Sequence, residues 1–499
     1  MVFVIFGLSA AFELLISSTP KAWRYRRILL IPAISFLGLW TGMSYVSAGY
    51  AFWLAICFIS AYRMFNLLRI AKERHPQARL YKSTRQTSYT LVTLQLGILV
   101  FIETIVSHIS SVDLLVILLS SQIIAGIALL AITSWNIFET NHRKASTHLT
   151  DKQLPTVTVA IPARNETPDL SACLESILAN NYPKLEILVL DDCSQDQTAA
   201  IIKDFAHDGV RFINGEEPAF GWLAKNQAYD KLLDEATGEI VVFCGVDVRF
   251  GSSAIRNLVD SFIENGRDMI SVMPLRIGGG VRTSFIQPLR YWWELALPRS
   301  YKNRPPVLST CWAVRRRVAK KLGGFQGVRQ SILPEGFFAR EIAKTGKYSF
   351  MRANESLNLR TVKTVEQQLQ TAVRMRYPQV KQRPEFICIV TAIQAIGVVF
   401  PFLYMLSGVI TGFGAYHWLA LLACAVYISV HYLIMVVSNP ASVAVALINF
   451  PIAVITEIYI AHLSMFRYEF SEVKWKDRNV CIPVMTAIPH LPKIPKRTG

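Results

Sequence analysis

Long apolar runs at both ends of the chain constrain it more than any other feature. ILLIPAISFLGLWTGMSYV (28–46), AFWLAICFISAYRMFNLL (51–68), SYTLVTLQLGILVFIETIV (88–106) and LLVILLSSQIIAGIALLAI (114–132) each approach the roughly 20 residues a helix needs to cross a bilayer. A shorter run, VFVIFGLSAAFELLIS (2–17), lacks a basic start and a small-residue cleavage site, so it reads as a retained span and not a signal peptide. Three more apolar stretches follow residue 385, at 386–411, 415–437 and 441–466. With 52% hydrophobic and 17% charged residues, the 499-residue chain is too apolar for an ordinary soluble protein. The expected organisation is an integral membrane protein with about five spans in 1–139, a polar segment at 140–384, two or three spans in 385–466 and a basic tail at 467–499.

Positive charge is retained on the cytoplasmic side of short loops. Lys21, Arg24, Arg26 and Arg27 lie between the first two spans, and Arg63, Arg69, Lys72, Arg74, Arg79, Lys82 and Arg85 lie in or beside the next such region. The loops around 47–50 and 107–113 carry neither Lys nor Arg. This pattern places 140–384 in the cytoplasm and accounts for most of the +17 net charge without a nucleic-acid partner. The middle segment's cysteines, Cys173, Cys193, Cys244 and Cys311, have no close metal spacing, so reduced thiols and no structural zinc are expected.

The middle segment has a different texture. TVTVAIPA (156–163), LEILVLDD (185–192), VRFING (210–215) and EIVVFCGVD (239–247) read as strands, separated by helical patterns at 170–180, 198–206 and 223–236. Such alternation implies an α/β domain with a mostly parallel sheet covered on both faces, and ligands in these sheets bind at the carboxyl ends of the strands. Arg164, Asn165, Glu166, Asp191, Asp192 and Asp247 stand at those ends.

IPARNE (161–166), VLDDCSQDQT (189–198), LAKNQAYDKLLDEATGEIVVFCGVD (223–247) and CWAVRRRVAKKLGGF (311–325) resemble, in order, the landmark segments of the family-two membrane glycosyltransferases. The resemblance covers about 155–377. It implies a GT-A fold, a Rossmann-like α/β domain inserted between transmembrane helices. It also implies a nucleotide-diphosphate sugar donor, a divalent Mg²⁺ or Mn²⁺ ion, and inversion at the anomeric centre. By position, Pro162, Ala163, Arg164 and Glu166 would line the nucleoside pocket, Asp192 would accept a hydrogen bond from the base, and Lys225 would face the diphosphate. Asp191 has two readings, contact with the donor or a turn cap beside Ser194 and Asp196.

Two departures from the family pattern stand out. The fourth strand usually ends in Asp-x-Asp, but here the first Asp is Gly245, leaving Asp247 as the metal carboxylate. One carboxylate with substrate phosphates and water can hold such an ion. The general base usually comes from a Glu-Asp pair; Glu335 matches the Glu, and Gly336 stands at the Asp. Glu335 is therefore the candidate base.

Trp292, Trp293, Trp312, Arg376 and Tyr377 are grouped as acceptor or membrane-interface residues, because aromatics beside basic residues suit the headgroup level. Processive synthases carry Gln-x-x-Arg-Trp in this region, whereas this chain has Val373, Arg376 and Tyr377, which favours transfer of one sugar to a membrane lipid. VKWKDRNV (473–480) resembles a Trp-Lys-Gly-Arg tail of lipid-directed relatives. The competing expectation is a catalytically inactive membrane scaffold or nucleotide sensor, favoured by Gly245 and Gly336. Few ionisable residues fall inside the spans, Glu13, Glu103 and Glu457 being exceptions, which argues against a transporter. The basic tail belongs inside, so an even number of crossings is expected after 385; the stretch 441–466, with Asn449, Pro451, Glu457 and His462, is the one expected not to cross.

Overall fold

The computed structural model describes residues 2–19, 22–23, 25–72, 78–104, 108, 111–141, 149–277, 286, 288–299, 304–476 and 478–481. Of the positions weighed above, Lys21, Arg24, Arg74, and much of 278–303 apart from the helix bearing Trp292 and Trp293, lie outside them. The chain forms two compact units: one of residues 1–130, 375–431 and 447–471, the other of residues 131–374, 432–446 and 472–499.

The first unit is helical. It is built from α1 (Val2–Ser18), α2 (Arg26–Lys72), α3 (Ala78–Thr104), most of α4 (Ser111–Thr140), α13 (Pro384–Gln394), α14 (Phe400–Thr411), most of α15 (Ala415–Ser438) and most of α16 (Val443–Phe470). Among the described residues, seven helical stretches are long and apolar enough to cross a membrane: Arg26–Val46, Phe52–Lys72, Lys82–Thr104, Leu114–Thr140, Pro384–Thr411, Ala415–Ser438 and Leu447–Phe470. Phe3–Ser18 is a shorter apolar helix. Within α2, Thr41 Oγ1 donates to Ser60 Oγ at 2.9 Å, and Trp53 Nε1 donates to the Thr41 carbonyl at 2.8 Å. Nineteen residues of straight helix would extend about 28 Å, so α2 bends back between these contacts.

Charges inside this unit are paired. Arg63 and Glu13 are both fully buried and meet at 2.7 Å, while Arg63 also donates to Gln95 at 2.7 Å and Ser9 at 2.8 Å. An apolar setting tolerates a charge only with such partners. Glu457 is likewise paired, accepting from Arg376 Nη2 at 2.9 Å.

The second unit holds the polar segment. Strands β1 (Val157–Ala163), β2 (Leu185–Asp191), β3 (Val210–Asn214), β4 (Ile240–Cys244), β6 (Met269–Met273), β8 (Cys311–Arg315) and β9 (Tyr348–Arg352) form one sheet in the order β3-β2-β1-β4-β8-β6-β9. The pairings β1 with β2 and β4, β2 with β3, and β6 with β9 are parallel; β8 runs against β4 and β6. The sheet is thus mixed, and the reversed β8 lies beyond the part covered by strand–helix alternation. A smaller sheet has the order β5-β10-β7, from Val248–Phe250, Leu359–Val362 and Leu275–Ile277.

Helices α5 (Thr167–Leu178), α6 (Thr198–Asp204), α7 (Ala224–Glu235), α8 (Ala254–Glu264), α9 (Pro288–Leu295), α10 (Arg316–Lys321) and α11 (Glu335–Ala343) accompany the strands, followed by α12 (Val365–Gln379). All five residues of β4 are buried, as expected of a strand covered on both faces. Val157, Val159, Ile161, Leu170, Leu174, Val242 and Ile255 are among the fully buried residues of its core. Each such side chain contributes roughly 1.5–3 kcal/mol on burial, and this core fixes the strand ends that carry the polar residues.

Trp312 requires a correction. It lies on β8 in the middle of the sheet, fully buried, and stacks on Phe243 at 4.5 Å and on Phe338 at 5.8 Å. A residue between two flanking strands and under aromatic rings has no membrane surface to meet, so Trp312 is a core residue.

Candidate functional site

Three loops at the carboxyl ends of β1, β2 and β4 assemble the site. After β1, the chain turns through Asn165, which sits at φ 50°, and after β2 through Cys193 at φ 53°. The two turns are laced together. Asn165 N donates to Ser194 Oγ at 3.1 Å, Gln195 N to Asn165 Oδ1 at 2.9 Å, and Glu166 N to Thr198 Oγ1 at 2.8 Å. Arg164 crosses between them, donating through Nη1 to the carbonyls of Asp192 at 2.6 Å and Cys193 at 2.8 Å.

Asp192 follows β2 beside these turns and is 4% exposed. Its Oδ1 accepts from Arg478 at 2.6 Å, whereas its buried Oδ2 has no hydrogen-bond partner among the described residues. Burial pushes this carboxyl above its ordinary value, outweighing the guanidiniums of Arg478 and Arg164. An orphaned acceptor in a cleft calls for a donor from a ligand. Asp191, one residue earlier, is turned to the local backbone: both its oxygens lie 3.4 Å from Ser194 N, and its carbonyl accepts from Gly215 N at 2.8 Å. Of its two readings, the turn cap has geometric support. Pro162 is half-buried and Ala163 buried at the end of β1.

The turn from β4 to β5 brings Gly245 and Asp247 together. Val248 N donates to the Gly245 carbonyl at 3.1 Å, closing a tight turn around Asp247. A Cβ on residue 245 would stand 2.5 Å from Asp247 Oδ1. The carboxylate of Asp247 thus occupies the space where a side chain at 245 would begin. Its Oδ2 accepts from Thr361 Oγ1 at 2.7 Å and pairs with Lys363 Nζ at 3.3 Å. Burial raises the Asp247 carboxyl, but Lys363 and Thr361 more than offset this and hold it below its ordinary value.

Mg²⁺ and Mn²⁺ prefer oxygen ligands and keep part of their water shell. Among the described residues no three His, Cys, Asp or Glu side chains converge on one point. The donor set, with Asp247 Oδ1 turned over Gly245, fits an ion that arrives with phosphate oxygens of its own.

Lys225, near the start of α7, lies 5.1 Å from the ring centroid of Tyr229. Burial is the main cause that lowers its ammonium to about 8, aided by Arg374 and Lys363 and opposed by Glu335 and Asp247. That set of mutual influences places Lys225, Asp247, Glu335, Lys363 and Arg374 in one electrostatic neighbourhood. Glu335 opens α11 and is fully buried. Carboxylates at a helix start are favoured by the exposed amides there.

The other expected positions separate. Trp292 and Trp293 are half-buried on α9, with Arg304 at 5.1 Å over the Trp293 ring. Arg376 and Tyr377 belong to the helical unit, where Arg376 pairs with Glu457 and Tyr377 with Glu469. Sequence reasoning missed Thr361, Lys363 and Arg374, and gave Lys476 and Arg478 no place in the site. Lys476 Nζ pairs with Glu166 at 3.0 Å and donates to the Asn165 carbonyl at 2.8 Å. The tail resemblance at 473–480 was the only signal that pointed near them.

Residues 158–323 match the family described as Glycosyl transferase family 2. A relative from Bacillus subtilis, "Probable glycosyltransferase YdaM", is 27% identical over 184 residues, which is 35% of this chain and 44% of that protein. "Glycosyltransferase AglE" of Haloferax volcanii is 29% identical over 182 residues, 34% of this chain and 56% of that one. Staphylococcus aureus proteins named "4,4'-diaponeurosporenoate glycosyltransferase" are 29% identical over 124 residues, covering 24% of this chain and 32% of theirs. The matched part thus spans about half the length of the first two relatives. Among solved structures, the mannosyltransferase PcManGT from Pyrobaculum calidifontis, in complex with GDP-Man and Mn²⁺, aligns with a TM-score of 0.43 at 16% identity, covering 69% of this chain and 99% of that one.

Proposed function

Residues 158–323 being a family-2 glycosyltransferase domain, we propose that the protein moves a sugar from a nucleoside-diphosphate sugar to a hydroxyl or phosphate of a membrane lipid, with inversion, at the cytoplasmic face. The observation that carries this reading is the joint neighbourhood of Lys225, Asp247, Glu335 and Lys363, with the unfilled acceptor of Asp192 after β2, one strand removed from β4 in the same sheet. Asp192 takes an N–H of the base. Arg164 and the backbone from Pro162 to Glu166 shape the nucleoside pocket. Lys225, Lys363 and Arg374 offset charge on the diphosphate, which grows on the leaving group as the glycosidic bond breaks. A divalent ion, when bound, adds Lewis-acid stabilisation of that leaving group, and Asp247 is the residue that would hold it.

Glu335 is assigned as the general base that takes the proton from the acceptor as its oxygen attacks the anomeric carbon. A lipid acceptor agrees with the apolar helices, and the S. aureus relatives are named for transfer to 4,4'-diaponeurosporenoate. The basic residues flanking those helices favour the cytoplasm for the site.

The test is purified protein in lipid with a panel of nucleotide sugars, reading nucleoside diphosphate release and the anomeric configuration of the lipid product. Glu335→Gln should lower turnover by roughly 10²–10⁴ with donor affinity little changed. Wild-type turnover in that variant removes Glu335 from the base role. Donor binding without turnover by the wild type supports the nucleotide-sensor reading instead.

A further inference from the structure

The segment after α16 folds back as a short hairpin, β11 (Lys474–Trp475) with β12 (Arg478–Asn479), in the same compact unit as the large sheet. Lys474 faces water, but Lys476 and Arg478 turn inward. Arg478 bridges Asp192 Oδ1 at 2.6 Å and Glu217 Oε2 at 3.0 Å, and its side chain is 13% exposed. Lys476 bridges Glu166 and the Asn165 carbonyl, and its own carbonyl accepts from Arg164 Nε at 2.9 Å. Trp475 lies under Arg374, with 5.2 Å from guanidinium to ring centroid. The hairpin therefore reaches from the base end of the site towards its diphosphate end.

Resting on the glycosyltransferase reading above, we propose that this hairpin is a wall of the donor pocket and that Arg478 is a positioning residue, fixing Asp192 so that its free oxygen selects the base. Charge balance supports this role. Glu166, Asp192 and Glu217 would set like charge against a polyanionic donor, and Lys476 and Arg478 between them pair with all three. Geometry separates a wall from a plug. Arg478 takes only one oxygen of Asp192 and leaves the other buried and unfilled, whereas a plug standing in for the nucleoside would satisfy it.

The free oxygen also defines a ligand class. A carboxylate acceptor suits the ring N–H that uracil and guanine carry on their pairing edge, whereas cytosine and adenine offer it only an exocyclic amine and set a ring lone pair against its charge. Held by Arg478, the carboxylate keeps its orientation, so discrimination depends on the tail as well as on Asp192.

The experiment titrates UDP, GDP, CDP and ADP into the full-length protein in lipid nanodiscs. The wild type should prefer UDP or GDP to CDP and ADP. Arg478→Ala should lose about tenfold or more in affinity for the preferred nucleotide, the loss expected for a charge-assisted hydrogen bond, and its preference over CDP should narrow. Arg478→Lys should retain part of both, and Lys474→Ala, at an exposed position, should change neither. Unchanged or tighter binding by Arg478→Ala overturns the proposal, tighter binding marking the hairpin as an inhibitory cover. Equal wild-type binding of all four nucleotides overturns the selective role of Asp192. If Arg478→Ala does not fold, Lys476→Ala carries the test: several-fold weaker binding supports the wall, and unchanged binding overturns it. A wild type that binds none of the four removes the glycosyltransferase reading and this one with it, an outcome distinct from a variant-specific failure.

Discussion

Lys363 Nζ and Thr361 Oγ1 converge on one oxygen of Asp247, at 3.3 and 2.7 Å, so the single carboxylate at the end of β4 is held by β10 (Leu359–Val362) and the residue after it. The cation and hydroxyl compensate for burial and keep the carboxyl's proton affinity below the ordinary value. A depressed carboxyl stays charged until pH falls through its lowered value, and its contribution to stability and binding is lost only there.

In the wild type, the gain in donor binding that metal brings should therefore persist as pH falls into the ordinary carboxylate range, whereas binding without metal weakens earlier, because burial raises the Asp192 carboxyl. In Lys363→Gln, burial acts with less opposition and the acid limb should move to higher pH. Calorimetric titration of donor with Mn²⁺ between pH 7 and 4 reads the two midpoints. Coincident midpoints would show that Lys363 does not set the charge on Asp247.

Lys225 gives the opposite limb. Its ammonium, lowered to about 8 chiefly by burial, loses its proton as pH rises through that value in the empty site. The unfolded lysine still holds its proton up to about 10.4, so this group makes folding more favourable, not less, as pH rises between the two values. Donor binding should run the other way and weaken above about pH 8 as the cation facing the diphosphate disappears. Lys225→Gln should bind weakly and without that alkaline limb. A wild-type limb that survives in Lys225→Gln assigns it to another group.

The two glycines at the departures from the family pattern should respond differently. A Cβ at 245 meets Asp247 Oδ1 at 2.5 Å, whereas one at 336 meets nothing nearer than Arg340 Nη1 at 3.8 Å. Gly245→Ala should displace the Asp247 carboxylate from Thr361 and Lys363 and weaken metal-assisted donor binding. Gly336→Ala, in a helix, should leave binding unchanged and stabilise by roughly 0.5–1 kcal/mol. Thermal midpoints and titrations of the two variants separate these outcomes; equal loss of binding in both would contradict the geometry at Gly336.

Topology follows from the tail. Since Lys476 and Arg478 line the proposed pocket, residues after α16 should share the side of the sheet, and one of the three apolar helices after residue 383 should not cross. α16 is the candidate: Arg376 and Tyr377, adjacent in sequence, contact Glu457, Ser464 and Glu469 along it. Those positions extend about 18 Å along a helix, giving the second half of α16 a line of polar partners that a lipid-facing span does not need. A cysteine replacing Lys474, in a background without native cysteines, should react with an impermeant maleimide only from the face carrying the nucleotide site in sealed vesicles. Labelling from the opposite face alone would put the tail outside and refute both the crossing count and the tail's role.

What the sequence determined by itself is whatever short-range pattern carries. Apolar runs of bilayer length, the alternation from Val157 to Cys244 and the polar strand ends at Arg164, Asp192 and Asp247 follow from periodicity and backbone preference within a few residues of each position. The single carboxylate at Asp247 was also legible, but its setting was not: one oxygen lies over Gly245 while residues 361 and 363 hold the other. Trp312 looked interfacial beside its arginines, and only the antiparallel insertion of β8 between β4 and β6 put it in the core. Arg478 and Asp192 lie 286 residues apart. An ion pair of that span leaves no periodic trace in the chain, because any basic residue in the tail satisfies the same composition. Which one meets the Asp192 carboxylate is decided by where the folded tail is allowed to pack.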